Sequence, residues 1–126
     1  MHDVEPLDVD PLVEAVDKLA DRFRSLPQSK LQGAVPGHAS RAAAALELAR
    51  RLAGLAAAAE GGPRRDFPDA GAFAVGDQLA VAGHDLATAL AALPEGARVA
   101  LPDGPAAAEV LAAAVDAVRE TAALCG

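Results

Sequence analysis

The chain of 126 residues has room for one domain with a single core, and 52% hydrophobic but only 2% aromatic residues favour Ala-rich helices over sheet. A formal net charge of −7 without a long basic stripe argues against nucleic-acid binding. A single cysteine rules out an internal disulfide and no apolar run approaches 18 uncharged residues, so we expect a cytoplasmic protein that does not enter the membrane.

The N-terminal sequence predicts a flexible acidic lead, residues 1–9, followed by a single helical domain, residues 10–126. The lead lacks the basic start and apolar run of a secretory signal. Asp10 and Pro11 predict a first helix over about 11–26, with the Asp as N-cap and the Pro in the first turn. Its apolar residues recur at steps of three and four: Leu12, Val16, Leu19, Phe23 and Leu26.

A second helix is predicted over about 38–60, after a connector that contains both Pro and Gly and before the breaker Gly61-Gly62-Pro63. Small residues dominate its inward line, which we place at His38, Ala42, Ala45, Ala49, Leu52 and Ala56. Small side chains at these positions would let a neighbouring helix approach closely.

The third predicted helix, about 70–93, is the central element of the sequence. Asp69 stands at its start as a cap, and Pro94 limits its end. One stripe at the helical period predicts burial of Val75, Leu79, Ala82, Leu86, Leu90 and Leu93.

The opposite side of this third helix is unusually apolar. At 100° per residue it carries Phe73, Asp77, Ala80, Val81, His84, Thr88 and Ala91. Apolar residues on an outer face are common, since much of a protein surface is apolar. The alternative is a second packing face used for self-association, for which the interface candidates are Phe73, Asp77, Val81, His84 and Thr88.

A fourth helix is predicted over about 104–125, opened by Asp103-Gly104-Pro105. Before it, residues 94–102 are expected to form an extended connector, because the sequence offers no second strand for pairing. Amphipathic helices joined by connectors of modest length predict an all-α fold, namely an antiparallel up-down four-helix bundle.

Motifs that carry chemistry are sparse. The chain has no Glu-x-x-His pair of the di-metal bundles, no glycine-rich phosphate loop and no nucleophile elbow. His2, His38 and His84 are too far apart in sequence for a zinc-binding spacing. We therefore expect no catalytic, cofactor or metal site, and a protein that is not an enzyme.

Two histidines are candidate phosphoacceptors. The run His38-Ala39-Ser40-Arg41-Ala42 resembles the His-x-x-Lys-Gly signature of histidine phosphotransfer domains, which are also helical bundles. Arg41 and Ala42 depart from the Lys and Gly of that signature. We expect His38 to be structural, as a capping or end-of-core residue, and His84 to be a surface or interface histidine.

The function that these patterns favour is a non-enzymatic protein-interaction module that self-associates as a homodimer, with room for a further, unidentified protein partner. A histidine phosphotransfer-like signalling bundle is the first alternative. The second is an Ala-lined core that holds a small apolar ligand.

Overall fold

The computed structural model describes residues 7–126, in which the regular elements are helices, as the predicted all-α class requires. In chain order they are α1 (Asp10–Ser25), α2 (Gln28–Leu31), α3 (Arg41–Glu60), α4 (Val75–Ala91) and α5 (Ala107–Leu124). A single 3₁₀ turn, Ala72–Ala74, precedes α4. Within the described residues, no helix is both long enough and apolar enough to span a bilayer.

The predicted apolar stripes form the core. The largest side chains that are fully buried are Leu12, Leu19, Leu31, Leu52, Leu79, Leu86, Leu90, Val16 and Val118. Two stripe positions predicted for helix ends, Leu26 and Leu93, are only half-buried because α1 and α4 end before them. In the described part of the chain, no polar or charged residue is buried.

The first helix begins one residue earlier than the sequence indicates. Val9 is the N-cap of α1 and no side chain caps the helix, so the expected capping role of Asp10 is wrong. The backbone N–H of Asp10 instead donates to Asp8 Oδ1 at 3.1 Å. Residues 1–6 of the expected lead lie outside the described residues, while Leu7 and Val9 are half-buried against the core.

The second long helix, α3, begins at Arg41 and not at His38. Ser40 is its N-cap, because the hydroxyl accepts from Ala43 N–H at 2.9 Å. His38 lies in the turn before it, where its N–H donates to Val35 O at 3.0 Å. Gly37, with φ at +80°, provides the left-handed residue of that turn. His38 is therefore not on the inward line of α3, whereas the other residues of that line are buried.

The start of α4 also differs from the prediction. Asp69 accepts from the N–H of Gly71 at 3.1 Å, and Gly71 has φ at +97°, so residues 70 and 71 are outside any helix. The chain then passes through the 3₁₀ turn and becomes α-helical at Val75. Phe73 consequently lies before α4 and not on it.

The connector before α5 is paired, contrary to expectation. Val99 N–H donates to Pro105 O at 2.9 Å, and Ala107 N–H donates to Ala97 O at 2.8 Å. The connector pairs with the residues at and directly before the start of α5, so this pairing does not require a second strand elsewhere in the chain. Gly104 has φ at +54°, which a helix does not tolerate, and α5 accordingly starts at Ala107 and not at 104.

Each of the two later helices packs against the two earlier long ones. α4 contacts α1 and α3, α5 contacts the same two helices, and α4 and α5 have few direct contacts with each other. α1 and α4 run antiparallel, because Arg24 near the end of α1 meets Asp77 near the start of α4. The earlier α1 residue Asp17 meets the later α4 residue His84.

α3 and α4, by contrast, run in the same direction. The connector 61–71 leaves the end of α3 and returns beside it, where Arg50 Nε donates to Phe67 O at 2.9 Å. It also runs antiparallel to α4, as shown by contacts that pair Arg65 with Asp85 and Pro68 with Gln78. The up-down order expected from the sequence therefore does not hold for this pair.

The connector is long enough to permit this departure. Eleven extended residues reach roughly 36 Å, more than the length of about 30 Å of the 20-residue α3. The chain can therefore return to the start of α3 before α4 begins.

Glycines let α4 approach α1 closely. A β-carbon placed on Gly83 would lie 2.5 Å from Val16 Cγ1, and one on Gly76 would lie 3.0 Å from Ala20 O. Only a residue without a side chain fits at Gly83. This close contact fixes the inner side of α4 and leaves its opposite side toward solvent.

Candidate interaction surface

The residues predicted to lie opposite the buried stripe are at the surface. We call them the α4 outer face: Asp77, Ala80, Val81, His84, Thr88 and Ala91 on α4, together with Phe73 in the 3₁₀ turn directly before it. Phe73 is 68% exposed and Val81 42%, and they are the exposed large hydrophobic residues of the described chain. The predicted helical phase is thus confirmed, while the role of this face in an interface stays a prediction.

Two α1 residues, Arg24 and Asp17, border the α4 outer face and contact its polar members Asp77 and His84. Arg24 Nε donates to Asp77 Oδ1 at 2.9 Å and Arg24 Nη1 donates to Asp21 Oδ1 at 3.0 Å. His84 Nε2 lies 2.6 Å from Asp17 Oδ1. The hydrogen bond to Asp77 is the largest cause that raises the pKa of Arg24 above its ordinary value, with Asp21 adding to it.

These contacts give Asp77 a partner within its own chain. The sequence places Asp77 among the interface candidates, and in the structure its carboxylate pairs with Arg24. Both side chains of the pair are largely solvent-exposed, so the pair contributes at most about 1 kcal/mol to the free energy of unfolding.

Sequence reasoning missed Asp17 and Arg24 as neighbours of this face, although a signal for them exists. They are seven residues apart on α1, as Asp77 and His84 are on α4, so each pair shares one side of its helix. In both pairs the acidic residue comes first. Antiparallel packing therefore places each acid opposite a basic side chain, whereas parallel packing would oppose the two acids.

The other edge of the α4 outer face carries a third charged contact. Arg65, in the connector after α3, donates from Nε to Asp85 Oδ2 at 2.7 Å. Val81 thus lies between a charged border toward α1 and one toward the connector. An apolar centre with a polar rim is the usual composition of a protein–protein interface.

His38, the other candidate phosphoacceptor, lies elsewhere. Its Nδ1 is 3.0 Å from Glu47 Oε2, and it borders a cleft between α3 and α5 together with Arg51. The partner of its side chain is thus a carboxylate on α3. The structure does not bring it together with His84, which faces α1, and His2 lies outside the described residues. Among residues 7–126, no three His, Cys, Asp or Glu side chains are grouped as a metal site would require.

A cleft of about 680 Å³ opens between the start of α3 and the chain before α4, with Glu47, Arg50 and Asp69 among its lining residues. It lies at the surface and is partly charged. The Ala residues at the centre of α3 are instead packed, with Ala45 and Ala49 fully buried.

No protein-family model, no curated protein and no solved structure matches this chain.

Proposed function

We propose that this protein is a non-enzymatic interaction module that forms a homodimer through the α4 outer face. The exposure of Phe73, at 68%, is the observation that supports the proposal most strongly. A Phe side chain removes a large apolar area from water when it is covered, and aromatic residues are enriched at interfaces. A second copy offers the same apolar residues in a two-fold contact.

The proposed dimer needs more surface than α4 alone presents. A stable interface covers about 800 Å² on each partner, or roughly an eighth of the 6906 Å² surface of the described chain. The exposed side of a 17-residue helix is about 25 Å long. The interface therefore extends onto α1, where Asp17 and Arg24 form the polar rim.

We propose that the four long helices form one four-helix bundle, with neighbours in the order α1, α4, α3, α5, and that it works in the cytoplasm. The pairwise packing of these helices supports that order. The two-fold contact would join two such bundles along α4 and α1.

The geometry around His84 favours this proposal over phosphotransfer at its Nε2. A phosphoacceptor nitrogen must be free to attack, but His84 Nε2 is 2.6 Å from the Asp17 carboxylate. That carboxylate would also repel an incoming phosphoryl group. His38 contacts Glu47 through Nδ1, so its Nε2 is the nitrogen that a labelling test has to address.

The packing of the core favours the proposal over an apolar ligand held inside. Where small residues occur between α1 and α4, the helices draw together until Gly83 touches Val16, and no gap is left at this contact. Small side chains there serve close packing.

Light scattering over a concentration series tests the proposed dimer. We expect a mass of twice the 12.6 kDa chain at micromolar concentration, falling toward one chain on dilution. A strict monomer at high micromolar concentration would contradict the proposal.

The phosphotransfer alternative has its own test. Incubation with a phosphodonor kinase should give no acid-labile label. Labelling that is lost in His84→Ala or in His38→Ala would replace the proposed function with phosphotransfer.

A further inference from the structure

A groove between α1 and α5, separate from the α4 outer face, has the features of a small-molecule site. It encloses about 550 Å³, within the range of roughly 300–1,000 Å³ usual for ligand pockets. Leu19 and Val118 line its deepest part and are almost fully buried. The half-buried Ala15 and Ala122 contribute a small apolar side chain from each of the two helices.

Three cations border this groove in a chain whose net charge is −7. Lys18 and Arg22 are one helical turn apart on α1, and Arg119 is on α5. Among the described residues, none of the three has an acidic partner within 4 Å. Glu14 is the single carboxylate that lines the groove.

Arg22 also ties the two helices together. Its Nη1 donates to the carbonyl of Ala122 at 3.4 Å, and the side chain is half-buried. Its guanidinium group is thus held at the groove. The aliphatic stems of Lys18 and Arg119 can cover apolar surface while their charged ends stay in water.

We propose that this groove binds a single-chain amphiphile with an anionic headgroup, of the class of fatty-acid carboxylates. The acyl chain lies along Ala15 and Ala122, above the buried Leu19 and Val118, and the headgroup accepts hydrogen bonds from the cations of the rim. A small molecule fits better than a protein partner, because the apolar residues that reach the groove surface are small and the large ones are already buried. The proposal is independent of the α4 outer face.

Titration of the full chain with dodecanoate, below its micelle concentration and at neutral pH, tests the proposal. Amide chemical shifts should move in α1 and α5 around Leu19 and Val118 and saturate. Dodecyltrimethylammonium, which has the same chain and a cationic headgroup, should bind at least about tenfold more weakly, since it loses the charge-assisted contacts. Equal binding of both amphiphiles would overturn the proposal.

A pair of double variants distinguishes binding in the groove from attraction of the anion by the overall charge of the protein. Lys18→Gln with Arg119→Gln should weaken dodecanoate binding by about tenfold or more and leave helicity unchanged. Arg51→Gln with Arg64→Gln removes the same charge from exposed positions outside the groove and should retain the affinity. Arg22 is kept, because it holds the α5 carbonyl.

Three results would assign the groove or the ligand differently. Equal weakening in both double variants would mean attraction by overall charge, and the proposed site would be wrong. Dodecanoate shifts confined to the α4 outer face would place the amphiphile on that apolar surface and likewise overturn the groove. A change in oligomer mass caused by the Lys18 and Arg119 variant would identify a second copy of the chain as the occupant.

Discussion

Gly83 determines how closely α1 and α4 can pack. In a free helix, replacing Gly by Ala is stabilising by up to about 1 kcal/mol. Here the added methyl group would lie 2.5 Å from Val16 Cγ1, so the two helices must separate or Val16 must move. We expect Gly83→Ala to lower the free energy of unfolding by roughly 1–3 kcal/mol, measured by urea denaturation.

Gly54 in α3 is a matched control for Gly83. A β-carbon there would meet no atom within 4 Å, so Gly54→Ala should raise the free energy of unfolding by about 0.5–1 kcal/mol. Combining Gly83→Ala with Val16→Ala should recover part of the loss, because the clashing methyl groups are gone. If Gly83→Ala stabilises the protein as Gly54→Ala does, the close approach of α1 and α4 is wrong.

Cys125 gives stability a dependence on alkaline pH. Burial raises the pKa of its thiol, and the charges of Arg41 and Arg22 only partly oppose this. Folding therefore favours the protonated thiol. This contribution is complete below the pKa of an unfolded thiol, about 8.5, and is lost as pH rises through the folded value.

We accordingly expect the free energy of unfolding to fall more steeply with pH for the natural chain than for Cys125→Ala once the unfolded thiol ionises. Urea denaturation at a series of alkaline pH values measures both slopes. Parallel curves would mean that the thiol is no less ionisable in the folded state than in the unfolded chain.

Among the elements, α3 offers the clearest test of a helix start. The Ser40 hydroxyl satisfies the Ala43 N–H, so Ser40→Ala should cost about 1 kcal/mol of unfolding free energy. Ser29→Ala, at an exposed position in α2, is the matched control and should change stability by less than about 0.5 kcal/mol. Equal effects in thermal denaturation would argue against a cap at Ser40.

The sequence predicts the helices well because burial fixes their phase. Leu79, Ala82, Leu86 and Leu90 recur at steps of three and four, and all are fully buried in α4. Helix starts are predicted less well, because a short polar side chain can bond a neighbouring backbone N–H in a turn and then does not cap the helix. Asp69 illustrates this, because its carboxylate bonds Gly71 N–H and does not cap the helix.

The sequence predicts which side of α4 is exposed, but it does not predict which residues of other elements lie beside that side. The helical period places Val81 and His84 opposite the buried stripe, as the structure has them. Their neighbours belong to other elements. That Asp17 contacts His84, at 2.6 Å, follows from the antiparallel register of α1 and α4, which no periodicity within one helix contains.

At the scale of the whole molecule, the sequence did not predict which helices are neighbours or in which direction α4 runs. Amphipathic stripes show that each helix has an inner side, but they do not select its neighbours. Connector length and composition leave both directions open for α4. In the structure α4 runs in the same direction as α3. The connector between them contacts both helices, through Arg65 to Asp85 and through Phe67 to Arg50.

The central claim, a homodimer built on the α4 outer face, is tested most directly by the light-scattering mass of Val81→Glu. Val81 is 42% exposed, so in a monomer this change should cost less than about 0.5 kcal/mol. In the proposed dimer it places a charge in a desolvated contact in both copies. Ala113→Glu, at an exposed position of α5, is the matched control, and Leu86→Glu, at a fully buried position, should unfold the chain.

We expect Val81→Glu to have the mass of one chain at a concentration where the natural chain and Ala113→Glu have the mass of two, with helicity by circular dichroism unchanged in all three. A dimer that persists in Val81→Glu while Leu86→Glu unfolds would contradict the interface and leave the core assignment standing.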